Sequence, residues 1–172
     1  TGNDRFTFTD GVSLAGIIDG GEGSDTLVAS NQGVLIDISG TDNGTYGDQL
    51  ILWQNIENIV GGTGNDTFLL SATTLTGSLD GAGGIDTIVG DAVPNTFVLE
   101  TTNGGTVTGI LGTFSNIENL VGNIESDTFI LASAGNLTGV LDGSDSLDTL
   151  IGDDNGNLFV LTGLDTGYVN DR

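Results

Sequence analysis

Carboxylates are the only plentiful reactive side chains in this chain. It carries 24 Asp and Glu against 2 Arg, with no Lys, His, Cys or Met, for a formal charge of -22 over 172 residues. Imidazole, thiolate and amine catalysis are therefore excluded, as are disulfides and Cys/His metal sites. Arg5 and Arg172 alone cannot neutralise a run of phosphates, so nucleic acid and anionic lipid are excluded as partners. Carboxylates can pair for glycoside hydrolysis or hold a hard cation. Their setting favours the second chemistry, because most sit in glycine-rich loops. GGEGSDTL spans Gly20–Leu27 and GGTGNDTF spans Gly61–Phe68; GAGGIDTI, GNIESDTF and GSDSLDTL begin at Gly81, Gly122 and Gly143. Calcium wants six to eight oxygens, and Gly-rich turns can aim backbone carbonyls inward while an Asp adds charge. The candidate ligand positions are Asp19, Gly21, Gly23, Asp25, Gly62, Gly64, Asp66, Asp80, Asp86, Asp127, Asp142 and Asp148.

What positions these loops is a repeat. IENIVGG at Ile56–Gly62 returns as IENLVGN at Ile117–Asn123, an offset of 61. DGGEGSDTLV at Asp19–Val28 returns at Asp80–Val89, again at 61, and as DGSDSLDTLI at Asp142–Ile151, at 62. Matches at Asp66, Asn95, Asp127 and Asn157 subdivide this into units of 29, 32 and 30 residues. Each unit has three short apolar segments of period two separated by turn residues, as at Phe68–Leu70, Leu75–Leu79 and Thr87–Val89. No helical stripe of useful length occurs. A chain that is 37% hydrophobic is too apolar to stay disordered.

The predicted fold is all-β: a single domain over residues 1–172, built as a parallel β-solenoid of five to six ~30-residue coils with three strands each. Phe6, Phe68, Phe97, Phe129 and Phe159 are expected to form one inward ladder. Leu14, Leu75, Val107 and Leu137 form a second, and Leu27, Ile59, Ile88, Leu120 and Leu150 a third. Trp53 and Phe114 are expected to pack in a corner or the core. No apolar run is long enough to span a membrane. The absence of an initial Met and the closing Asn-Asp-Arg, which echoes residues 3–5, suggest a segment of a longer array.

The loops resemble the calcium-binding repeats of RTX haemolysin-type proteins, whose nonapeptide is G-G-x-G-x-D-x-U. The wider pattern resembles repeats of very large secreted or surface proteins of bacteria. The resemblance implies Ca2+ as cofactor and an extracellular, cell-surface location. RTX rolls, however, stack their nonapeptides directly, two per coil; single motifs on ~30-residue coils would leave the ligands unpaired. The alternative is that these loops are tight corners without metal.

Electrostatics bears on that choice. Asp25, Glu57, Asp86, Glu118 and Asp148 align at one corner, and Asp66, Asp91, Glu125, Asp127, Asp153 and Asp154 at another. Carboxylates ~4.8 Å apart repel by ~1 kcal/mol in water and ~3.5 kcal/mol at an effective dielectric of about 20. Such ladders need calcium, counterions or amide donors from the turns.

The expected function is non-enzymatic: an adhesive or structural segment of a bacterial surface or filament protein, stacked end to end with like units or set against other surface components. A calcium-dependent RTX-like module is the alternative. An ice-binding face made of Thr74–Thr76, Thr106–Thr108 and Asn136–Thr138 is a minor one; exposed Thr is ordinary in strands. Acids recurring at every coil read as architecture, not as one catalytic pair.

Overall fold

The computed structural model describes residues 1–47, 51–71, 74–155, 158–163 and 166–170. Among them there is no helix. The expectations placed on the Phe159 side chain and on Asp171 and Arg172 fall outside the described residues.

Two mostly parallel sheets dominate, and the chain crosses between them at each step. β1 (Arg5–Thr7) lies in the first sheet, β2 (Ile17–Asp19) in the second and β3 (Thr26–Val28) in the first. The next visit to the second sheet is a three-stranded antiparallel meander of β4 (Leu35–Gly40), β5 (Asn43–Tyr46) and β6 (Ile51–Gln54). β7 (Asn58–Gly62), β8 (Thr67–Leu70), β9 (Leu79–Ala82) and β10 (Thr87–Val89) then alternate singly, first sheet to second. A second meander, β11 (Thr96–Thr101), β12 (Gly104–Val107) and β13 (Phe114–Ser115), falls in the first sheet. β14 (Asn119–Asn123), β15 (Thr128–Leu131), β16 (Leu141–Ser144) and β17 (Thr149–Ile151) resume the alternation. β18 (Leu158–Gly163) and β19 (Thr166–Asn170) form a separate hairpin. The arrangement is compatible with a β-solenoid.

The expectation of three strands in each ~30-residue coil is corrected. The chain alternates between two sheets, and parallel partners lie 21, 32 and 20 residues apart along Phe6↔Leu27↔Ile59↔Leu79. Most crossings take nine residues, as from Ile18 to Leu27, Ile59 to Phe68, Leu79 to Ile88 and Leu120 to Phe129. The remaining apolar segments went to other uses. Leu75 makes only an isolated bridge to Ile110, although it is fully buried. Val107 belongs to a hairpin strand.

The 61-residue repeat contains five crossings, an odd number. Equivalent residues therefore swap sheets: Phe6 is in the first, Phe68 in the second and Phe129 in the first again. This breaks up the expected ladders. Phe97 and Phe129 do stack, with ring centroids 4.9 Å apart and planes 8° from parallel. Phe68 instead lies between Ile36 and Ile88, and Phe6 beside Leu27. Leu27 and Ile59 pair in one sheet, Ile88 and Leu120 in the other. Leu14 is exposed, so its inward placement is corrected too.

Inward residues of both sheets form one continuous apolar core. Each fully buried Phe, Leu or Ile contributes ~1.5–3 kcal/mol to folding. Trp53 and Phe114 hold the same place in the two meanders and are buried, as core packing requires.

Candidate cation-binding corners

Each glycine loop carries the chain from one sheet to the other, and its carboxylates have two distinct fates. The first acid of a loop stays outside and closes an Asx turn. Asp19 Oδ1 accepts from the Gly21 N–H at 3.1 Å, Asp80 Oδ1 from Ala82 at 2.9 Å and Asp142 Oδ1 from Ser144 at 2.9 Å. The donors sit at positive φ, 85° for Gly21, 67° for Ala82 and 68° for Ser144. A second clasp comes from the adjacent coil, where Asn55 Nδ2 donates to Asp19 and Asn116 Nδ2 to Asp80, both at 2.7 Å. Bonds from Asn55 and then Gln54 hold the Asp19 carboxyl below the usual carboxylate range.

In four of the five loops the last acid turns inward, just ahead of the next strand; Asp148, in the fifth, is exposed. Asp25, Asp66, Asp86 and Asp127 are at most 1% exposed. Their Oδ1 atoms each accept a peptide N–H from the neighbouring coil. Asp25 takes Asp4 N, Asp66 takes Val34 N at 2.9 Å, Asp86 takes Asp66 N at 2.8 Å and Asp127 takes Asn95 N at 2.7 Å. Glu57 and Glu118 continue the series by accepting from Asp25 N and Asp86 N at 2.7 and 2.8 Å. Asp148 closes it at one end by accepting from Asp127 N at 2.9 Å. A peptide N–H thus stands between successive carboxylates. Of the three ways to relieve their repulsion, the fold supplies amide donors.

The columns differ from those expected. Asp66, Asp86 and Glu118 form one run, Asp25 and Glu57 another, Asp127 and Asp148 a third. Sheet swapping is the cause, since it sends every second repeat's corner to the other side. It also brings loops together that a ~30-residue coil would separate. The loop at Gly62–Asp66 lies directly against the one at Ala82–Asp86, with Gly83 N bonded to Gly62 O at 2.9 Å. The unpaired-motif expectation is corrected there, and again where Asp145 N meets Asn123 O at 3.1 Å.

Glycine permits this closeness. A Cβ on Gly64 would strike the backbone of Gln32 and Gly33, and one on Gly23 the carbonyl of Gly2. At Gly20, Gly61, Gly81 and Gly122 the missing Cβ leaves room for the Oδ2 of Asp25, Asp66, Asp86 and Asp127. A carbonyl from the next coil points at the same spot, Asn55 O at Gly20, Gly81 O at Gly61, Asn116 O at Gly81 and Gly143 O at Gly122. These four glycines are the site residues missing from the candidate set, and the constant five-residue gap from glycine to Asp pointed to them. Glu57 and Glu118 were already legible from their alignment with Asp25 and Asp86.

The second oxygens are not treated alike. Asp66 Oδ2 accepts from its own loop's Gly62 N–H at 3.0 Å. Asp25, Asp86 and Asp127 each keep a buried Oδ2 without a hydrogen bond. Burial raises the Asp66 carboxyl against the two N–H bonds that lower it. Burial also pushes Asp86 up to about 7, and the charges of Asp66 and Glu118 add to the rise.

Among the described residues no three acids converge as a metal group. Each of these corners brings an Asp Oδ2 and a backbone carbonyl to one glycine, two of the six to eight oxygens that calcium takes.

The Thr segments are fasteners. Thr76 gives its N–H and Oγ1 to Asp42 at 2.7 and 2.8 Å, and Thr138 N–H donates to Asn103 Oδ1 at 2.9 Å. Asp42 and Asn103 are the tips of the β4–β5 and β11–β12 hairpins. Among the described residues no helix is long and apolar enough to cross a membrane. No family model, curated protein or solved structure matches the chain.

Proposed function

We propose that this chain is a non-enzymatic structural segment of a large extracellular protein of the bacterial surface. Its two sheets close into a β-solenoid whose coils stack along one axis. The observation that carries this reading is the use made of the buried acids. Asp25, Asp66, Asp86 and Asp127 each spend Oδ1 on a peptide N–H of the adjacent coil. They act as joints between coils, which is work an extended spacer needs and an active site does not. The sheets end on β1 and β17, and on β2 and β16, so like units stacked end to end are the natural partners. Negative charge keeps neighbouring rods apart.

A second reading, an RTX-like calcium module, draws on the unpartnered Oδ2 of Asp25, Asp86 and Asp127. Circular dichroism during thermal unfolding separates the two, in chelator and in millimolar Ca2+ at fixed ionic strength. The spacer keeps its strand signal and unfolds cooperatively in chelator. A chain that loses its strand signal in chelator and regains it with Ca2+ is the calcium module.

A further inference from the structure

The two meanders lengthen opposite sheets. Between β2 and β8 the second sheet holds three meander strands where the alternation requires one, and between β9 and β15 the first sheet does the same. Two extra strands add ~10 Å to one sheet, comparable to the ~10 Å between packed sheets. Each meander is therefore a wedge that bends the stack toward the other sheet, by an angle on the order of one radian. The side facing the first wedge has the shape this demands. Thr7, Val28 and Val60 alternate with the inward Phe6, Leu27 and Ile59, and they line an open groove of about 500 Å³ with Asn31, Thr63 and Ala82. Val28 is 9% exposed although it points away from the core.

We infer that the odd number of sheet crossings in each 61-residue repeat keeps a run of repeats straight, because successive wedges then fall on opposite sheets and their bends cancel. An even number would place every wedge on one sheet and curl the run. The repeat's length and the spacer's shape are thus linked through parity. This rests on the solenoid reading above.

The test adds crossings to the full chain. Duplicating residues 80–88 once inserts one nine-residue crossing and moves the second meander onto the sheet that holds the first. Duplicating them twice restores the original side. Small-angle X-ray scattering reads the result. The single duplication should give a radius of gyration below the native value despite its longer chain, and the double one a value above native. A single duplication as extended as native, beside an extended double one, overturns the parity proposal alone. A double duplication that folds without lengthening, or loses its strand signal, overturns the solenoid reading and this proposal with it. Deleting residues 80–88 also flips parity, so it decides the matter if the single duplication does not fold. Failure of both to fold beside a folded double duplication overturns the proposal, since parity would then govern folding and not shape.

Discussion

Asp66 and Asp86 occupy neighbouring rungs of one corner and are built alike. Each is fully buried, each follows a glycine by five residues, and each accepts one N–H from the preceding coil. They differ in a single atom. Asp66 Oδ2 has the Gly62 N–H; Asp86 Oδ2 faces the Asn116 carbonyl with no donor. Burial raises both carboxyls, but only Asp66 has a donor for its second oxygen, so Asp86 is the one better suited to a neutral group. The corner at Asn95 makes the same point. A neutral amide sits there at 2% exposure, donating Nδ2 to the Val93 carbonyl at 2.7 Å. At Asp66 and Asp86 the motif fixes one oxygen on the N–H of the preceding strand, and the loop's own backbone decides whether the second oxygen finds a donor.

The largest expected effect comes from destroying the matched rung. Asp66→Ala leaves two partly buried donors, Val34 N and Gly62 N, without their acceptor, at a cost of ~2–4 kcal/mol. Asp66→Asn should also destabilise, since one end of the amide must then present a donor to an N–H. Asp86→Asn should do the reverse. Its Oδ1 keeps the Asp66 N–H while its Nδ2 faces the Asn116 carbonyl, a gain of ~1–2 kcal/mol at pH 8. Urea unfolding of the three variants checks the signs. Equal losses for both Asn substitutions would break the contrast between the rungs.

The same contrast predicts a pH dependence. The Asp86 carboxyl rises from 3.8 to about 7 on folding. A raised carboxyl binds its proton more tightly in the folded state, so its contribution is complete below pH ~4 and is lost as pH rises toward 7. Stability should fall between pH 5 and pH 8 by ~1–2 kcal/mol, reduced from the full linkage value because the corner lies near solvent. Asp86→Asn should flatten that slope, while the native chain keeps it at constant ionic strength. Midpoint temperatures measured across this range for both chains are the check, and parallel curves would sink the assignment to Asp86.

The all-β class and its glycine corners were legible from sequence because turns and period-two segments carry local signals. The sheet each segment joins was not. Thr-Leu-Val at Thr26–Val28 and Thr-Ile-Val at Thr87–Val89 are nearly identical triplets, yet they lie in different sheets. Nothing within a triplet records the parity of crossings before it. The meanders had a readable sign, Asp-Asn-Gly at Asp42–Gly44 and Asn-Gly-Gly at Asn103–Gly105, with Asp42 and Asn103 at positive φ. Reading these as hairpin turns would have reassigned the third strand of the two units that carry them. The candidate site was half legible. Asp25, Asp66, Asp86 and Asp127 were legible as one recurring position, and the structure buries all four; which groups from the neighbouring strands meet them depends on register, which no local motif encodes.

The smallest expected effect compares two versions of the outer turn. Where the first loop has Gly21 at φ 85°, its repeat has Ala82 at φ 67°. The left-handed conformation costs a non-glycine residue ~1 kcal/mol that glycine does not pay, partly offset by glycine's greater freedom when unfolded. Ala82 is an exposed position, so its methyl group contributes little packing in return. Ala82→Gly should therefore stabilise by ~0.5–1 kcal/mol, and Gly21→Ala should destabilise by a similar amount. Both keep the Asx bond to the preceding aspartate, so neither should alter the pH slope assigned to Asp86. If Gly21→Ala proved neutral, the outer turn would have to relax out of the left-handed region at no cost. The Asp19 and Asp80 clasps, each anchored by an Asn from the adjacent coil, oppose such a shift.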